Sequence, residues 1–192
     1  MTPPERRQAA ILYSEMRNFT RLSEALEPAK VLALAGEFFA LAGKIVTANG
    51  GRAVCVHNDS LLAVFTGADA KQFAAQALKA AQDLVREFAP LGERWKTEYG
   101  LAAAVSVGLH LGEAVFGAVG AAPIALGDCV SVAERMLHRA RSGEIVISID
   151  LMKGLGPAVQ KLPVDELPPL ELGKRPPIPI YGMVIETRLD FT

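Results

Sequence analysis

The sequence predicts an α+β fold, an antiparallel sheet with helices packed on one face. Three observations lead there. Short apolar runs bounded by turn residues alternate with longer stretches whose apolar residues recur at helical spacing, the signatures of strands and helices. These segments come in the order strand, helix, helix, hairpin, helix, hairpin, helix, strand, which fits a layered structure. The chain has 192 residues, 51% of them hydrophobic, enough for one domain with a core of ordinary size.

The first strand is read at Ala9 to Ser14, and Asn18-Phe19-Thr20 begins a short helical turn. Pro28 then marks the first turn of a helix whose apolar residues Val31, Leu32, Ala35, Phe38, Phe39, Ala42, Ile45 and Val46 keep helical spacing as far as Asn49-Gly50-Gly51. Ala53 to His57 and Leu61 to Phe65 are expected to form a hairpin around Asn58-Asp59-Ser60. Asp69 to about Glu98 reads as mostly helical, with room for an interruption at Pro90-Leu91-Gly92. Ala103 to His110 and Glu113 to Val119 read as a second hairpin around Leu111-Gly112. Asp128 is expected to cap a helix from Cys129 to Arg141, closed by Gly143, and Glu144 to Ser148 returns as a strand. The tail from Pro157 carries seven of the 12 prolines, so residues 157–192 are expected to be a Pro-rich extension of a single domain spanning 1–192.

Twenty Lys and Arg against 21 Asp and Glu leave a net charge of −1. No nucleic-acid partner and no anionic membrane surface is expected from that balance. The apolar stretch Leu101 to Leu126 is interrupted by His110, Glu113 and several glycines, so it reads as buried strands. Cys55 and Cys129 form neither a C-x-x-C pair nor a disulfide framework. His57, His110 and His138 have no zinc-like spacing. With no apolar leader before the first strand, a cytoplasmic location is expected.

Two acids carry the functional argument. Glu15 ends the first strand and Asp59 sits in the turn that opens the third. Antiparallel pairing of those strands brings both carboxylates to one corner, beside the backbone N–H groups of Phe19 and Thr20. Such a corner suits a divalent cation and phosphate oxygens. On spacing alone, the same two residues also serve as an ordinary strand end and turn.

The run Leu12-Tyr13-Ser14-Glu15-Met16-Arg17-Asn18-Phe19-Thr20 resembles the first metal motif of the class III adenylyl and guanylyl cyclases, and Asn58-Asp59-Ser60-Leu61-Leu62 after Gly50-Gly51 is similar to the second. Val107 to Glu113, Leu126 to Met136, Ser142 to Ser148, and Leu172-Gly173-Lys174 through Tyr181 match further signatures in order. The resemblance implies a ferredoxin-like antiparallel sheet and a dimer with its site at the interface. It also implies attack of the ribose 3′-hydroxyl of ATP or GTP on the α-phosphate, with Mg²⁺ or Mn²⁺ held in a two-metal site.

By the same resemblance, Glu15, Asp59 and the carbonyl of Met16 are the metal ligands, with Glu15 where the family has Asp. Phe19 and Thr20 meet phosphate. Cys55 stands where the family places the Lys that reads the purine, and Ile124 where a polar partner is found. Ser131 replaces the Asn that orients the ribose, Arg135 matches the transition-state Arg, and Lys174 aligns with a triphosphate-binding Lys. Ser131 and Arg135 are four apart and share one helix face. The expected outcome is a cyclase homologue with a weakened metal site, poor base discrimination and little or no turnover of its own. The alternatives are a dimerising or nucleotide-binding regulatory module, or the metal-binding half of a heterodimer with an intact cyclase.

Overall fold

The computed structural model describes residues 5–185, except 121 and 174. Its framework is an eight-stranded sheet with the order β2-β3-β1-β4-β6-β8-β7, β5 pairing with β4 beside that path. The strands are β1 (Glu5–Arg17), β2 (Arg52–His57), β3 (Ser60–Phe65), β4 (Ala104–Val119), β5 (Ala122–Leu126), β6 (Glu144–Ser148), β7 (Asp165–Leu170) and β8 (Ile178–Val184). All pairings are antiparallel except β4 with β6.

The helices are α1 (Phe19–Ala25), α2 (Pro28–Ala48), α3 (Ala70–Tyr99), α4 (Asp128–Arg139) and α5 (Ile149–Leu155). Alternation along β1 sorts them onto the sheet. Ala10, Leu12 and Met16 face the main core with Phe38, Phe88, Trp95 and Leu151 of α2, α3 and α5. Ala9 and Ile11 face the other way, onto Cys129 and Ala133 of α4. The expected helical layer is therefore α2, α3 and α5, and α4 alone crosses the opposite face.

Three local readings are corrected. Residues 104–119 are one strand, not a hairpin around Leu111-Gly112, and β4 pairs with β1 from Glu5↔Phe116 to Arg17↔Ala104. Gly112 is a packing glycine rather than a turn glycine, because a Cβ there would press on that of Cys129. The reversal comes at Gly120, where φ is 62°, and the hairpin partner is β5.

Pro90 does not break α3, which runs unbroken through it. Phe88 stacks edge-on with Phe38 at 5.8 Å and with Trp95 at 5.4 Å, so packing on both sides of the proline holds the helix against its lost hydrogen bond. Asp128 does not cap α4. The N-cap is Gly127, with no side-chain cap bond, and the Asp128 carboxylate pairs instead with Arg175.

α2 is long and apolar enough by length and composition to cross a membrane. Here it lies over the sheet, with Leu34, Phe38, Ala42, Ile45 and Val46 buried.

Candidate functional site

Two strand registers and one turn bond set the backbone of Glu15 beside that of Asp59. Glu15 pairs with Ser60 of β3 on one side and with Ser106 of β4 on the other. One step on, the Met16 N–H donates to the Asp59 carbonyl at 2.9 Å, fastening the β2–β3 turn to the end of β1. Asn58, which opens that turn, adopts φ 50°. The short polar side chain of asparagine is the kind that tolerates this conformation. Glu15 and Asp59 are both half-buried, while the Met16 side chain is fully buried in the core and only its backbone faces the corner.

The chain then turns at Asn18, whose φ of 66° places it in the left-handed region. Its amide Nδ2 donates to the Ala102 carbonyl at 2.8 Å and fixes the turn. Asparagine, like glycine, suits this conformation. α1 starts at Phe19, so the N–H groups of Phe19 and Thr20 lie in its first turn, where no intrahelical acceptor exists for them. Thr20 is exposed and Phe19 packs against the core.

Glu15 has a partner that the sequence reading passed over. Arg17 Nη1 donates to Glu15 Oε1 at 2.9 Å, and both side chains are about four-fifths buried, 21% and 20% exposed. Two residues apart on a strand, they project from the same face, and that spacing was the available signal. The rest of the guanidinium binds Ser106 Oγ at 2.8 Å and the carbonyls of Leu137 and Ala140 at 2.7 and 2.8 Å.

A second unread residue is Tyr13. It lies in one lateral row with Cys55, Leu62 and Gly108 across β2, β3, β1 and β4. Burial and then the Glu134 carboxylate push its phenol above the ordinary value, with smaller effects from Ser60, Cys55 and Glu15. Tyr13 thus shares the lateral row of Cys55 and lies two residues before Glu15 on the same face of β1.

Cys55 is exposed on β2 next to a β-bulge. Ile124, partly buried on β5, belongs to a strand that packs near β2. The two strands therefore share one region of the sheet. Neither offers a polar group for a base edge beyond the thiol. Ser131 and Arg135 are exposed on the outer face of α4, whose inner face buries Cys129, Val132, Ala133, Met136 and Leu137. Lys174 lies outside the described residues.

The donor chemistry of the corner fits a divalent cation, since Glu15, Asp59 and a backbone carbonyl are hard oxygen ligands. Among the described residues no group of three or more His, Cys, Asp and Glu side chains gathers to complete a protein cage. A cation here would draw its other contacts from outside those side chains.

A family model described as the adenylate and guanylate cyclase catalytic domain matches residues 1–172. The chain belongs to this family. Adenylate cyclase 1 of Rhizobium meliloti is 28% identical over an alignment of 144 residues that covers 68% of this chain and 20% of that protein. The chain spans between 9% and 31% of the length of the curated relatives it matches. The adenylyl cyclase CyaB from P. aeruginosa superposes with a TM-score of 0.86 at 22% identity, covering 96% of this chain and 97% of that one. The guanylate cyclase domain of RhGC from Catenaria anguillulae, solved in complex with GTP, superposes at 0.79 with 20% identity, covering 94% and 98%. These likenesses establish a class III cyclase fold, an antiparallel-dominated sheet with its main helices on one face.

Proposed function

We propose that this cyclase domain binds a purine nucleoside triphosphate with Mg²⁺ or Mn²⁺ and has weak or no cyclising activity of its own. The observation that carries the reading is the backbone adjacency of Glu15 and Asp59, made by the β1–β3 register and the Met16–Asp59 backbone bond. A bound cation would neutralise phosphate charge and stabilise the developing negative charge of phosphoryl transfer.

The residues of this chain divide the remaining work. Glu15, Asp59 and the Met16 carbonyl would hold the cation, while the N–H groups of Phe19 and Thr20 receive phosphate oxygens. Arg135, exposed on α4, would donate to the phosphoryl oxygens of a site completed by a second chain, with Ser131 beside it toward the ribose. Cys55 and Ile124 leave the base edge unrewarded, which supports poor discrimination between ATP and GTP. A head-to-tail homodimer in the cytoplasm belongs to this reading, because the metal and α4 elements would then complete each other across the interface.

A specific contrast favours a second reading. The strand register supports a metal corner at Glu15 and Asp59, whereas Cys55, Ile124 and Ser131 differ from the groups that the resemblance implies for base and ribose. Such a chain would serve as the metal-binding half of a heterodimer. The test is a cyclase assay with ATP and with GTP in Mn²⁺, alone and mixed with an intact homologue. Trace product alone supports the first reading, and a gain on mixing that Asp59→Ala removes supports the second. Turnover in the ordinary enzyme range of about 1–10³ s⁻¹ by the chain alone would overturn both.

A further inference from the structure

Arg17 is held from three directions. Besides Glu15 on its own strand, it binds Ser106 Oγ of β4 and two carbonyls at the end of α4, those of Leu137 and Ala140. Ser106 is itself fixed, donating to the Arg141 carbonyl at 2.6 Å. The last carbonyls of a helix lack intrahelical donors and carry partial negative charge, so a cation is well placed there. The guanidinium is thus anchored independently of Glu15. Glu15, in turn, is one methylene longer than Asp, which extends its carboxylate along the strand face toward that anchored charge.

We propose that Arg17 is a built-in counter-charge that shares Glu15 with any divalent cation at this corner and thereby holds its metal affinity low. The proposal rests on Glu15 and Asp59 being the metal corner. A carboxylate already in a charge-assisted hydrogen bond has one oxygen committed. A cation approaching the other oxygen meets the repulsion of a fixed positive charge a few ångströms away, in surroundings that screen less than water. Arg17 is accordingly a positioning residue, acting on metal through Glu15 while it fastens α4, the helix of Ser131 and Arg135, to the same strand.

The experiment titrates Mn²⁺ into the full chain without nucleotide, reading free Mn²⁺ by electron paramagnetic resonance, with thermal melts alongside. Arg17→Gln should bind Mn²⁺ about five- to tenfold more tightly, the scale of one lost charge contact. Its melting temperature should fall without metal, because the α4 carbonyls lose their donor, and rise further than the wild type's when Mn²⁺ is added. Glu15→Asp, which draws the carboxylate back from Arg17, should also bind more tightly, and adding Arg17→Gln to it should bring little more. A purely structural Arg17 would lower the melting temperature and leave Mn²⁺ binding equal or weaker, and that result in a folded Arg17→Gln protein overturns the proposal. Should Arg17→Gln not fold, Glu15→Asp decides, and unchanged or weaker binding there overturns it equally. Asp59→Asn is the control for the corner itself. If Mn²⁺ binding survives that change, or no variant binds at all, the metal corner fails and the proposal falls with it. If binding depends on Asp59 but is indifferent to Arg17, only the proposal falls.

Discussion

Gly108 of β4 lies directly against the backbone of Ala133 in α4. A Cβ at position 108 would overlap the Ala133 carbonyl oxygen and crowd the Leu137 N–H. Backbone cannot yield as a flexible side chain does, so Gly108→Ala should lift α4 and cost about 1–3 kcal/mol. Gly117 in the same strand has open space where its Cβ would go, and Gly117→Ala should stay within about 0.5 kcal/mol of wild type. Urea unfolding of the two variants checks the contrast. Equal stabilities would mean that α4 is not seated on β4 as described.

The two cysteines should differ sharply in reactivity. Cys129 is buried, its Sγ donates to the Glu113 carbonyl at 3.2 Å, and burial pushes its thiol up to about 11. Cys55 is exposed. Because the thiolate is the reacting species, a thiol reagent at pH 8 should titrate one cysteine per native chain, and Cys55→Ser should remove that signal. Two fast thiols in the native protein would contradict the packing of Cys129 under the sheet.

His110 predicts a pH dependence of stability. It is 6% exposed, with Nδ1 2.8 Å from Ser148 Oγ and 4.0 Å from Asp150 Oδ2. Burial lowers its pKa from 6.5, against the smaller raising effects of Asp150 and Asp128, while Arg175 also lowers it. The unfolded chain therefore takes up a proton before the folded one does. The histidine's contribution is fully present above pH 6.5 and is lost as pH falls from there through the folded value. Urea midpoints from pH 7.5 to 5 should decline in the wild type, and the decline should be shallower in His110→Gln. Parallel profiles would show that another group drives the acid sensitivity.

Repair of the altered positions should act as a unit. Glu15→Asp, Cys55→Lys, Ile124→Asp and Ser131→Asn together should yield measurable adenylyl cyclase activity around Asp59 and Arg135, while each single change yields almost none, because catalytic groups that work together are not additive. Asp59→Ala in the repaired chain should abolish the activity. A folded, dimeric and inert quadruple variant would favour a scaffold or binding role.

The sequence by itself determined the α+β class, the elements from β1 to α3, and the backbone adjacency of Glu15 and Asp59. Those features are local or follow from pairing two adjacent strands, and alternation with turn residues such as Asn58 and Asp59 encodes them directly. The resemblance to the family motifs implied which side chains would stand at metal, base and ribose positions. Tertiary structure alone decided the rest. Leu111-Gly112 has the composition of a turn, but a 13-residue β1 offers β4 an unbroken partner and α4 needs Gly112 small. Pro90 has the composition of a break, yet aromatic packing from α2 carries α3 through it. Asp128 has the composition of a cap, and Arg175, distant in sequence, claims it. The Arg17 clamp was legible only in part. Strand spacing brings it to Glu15, but its hold on Leu137 and Ala140 depends on where α4 crosses the sheet, a long-range packing outcome that no local pattern records.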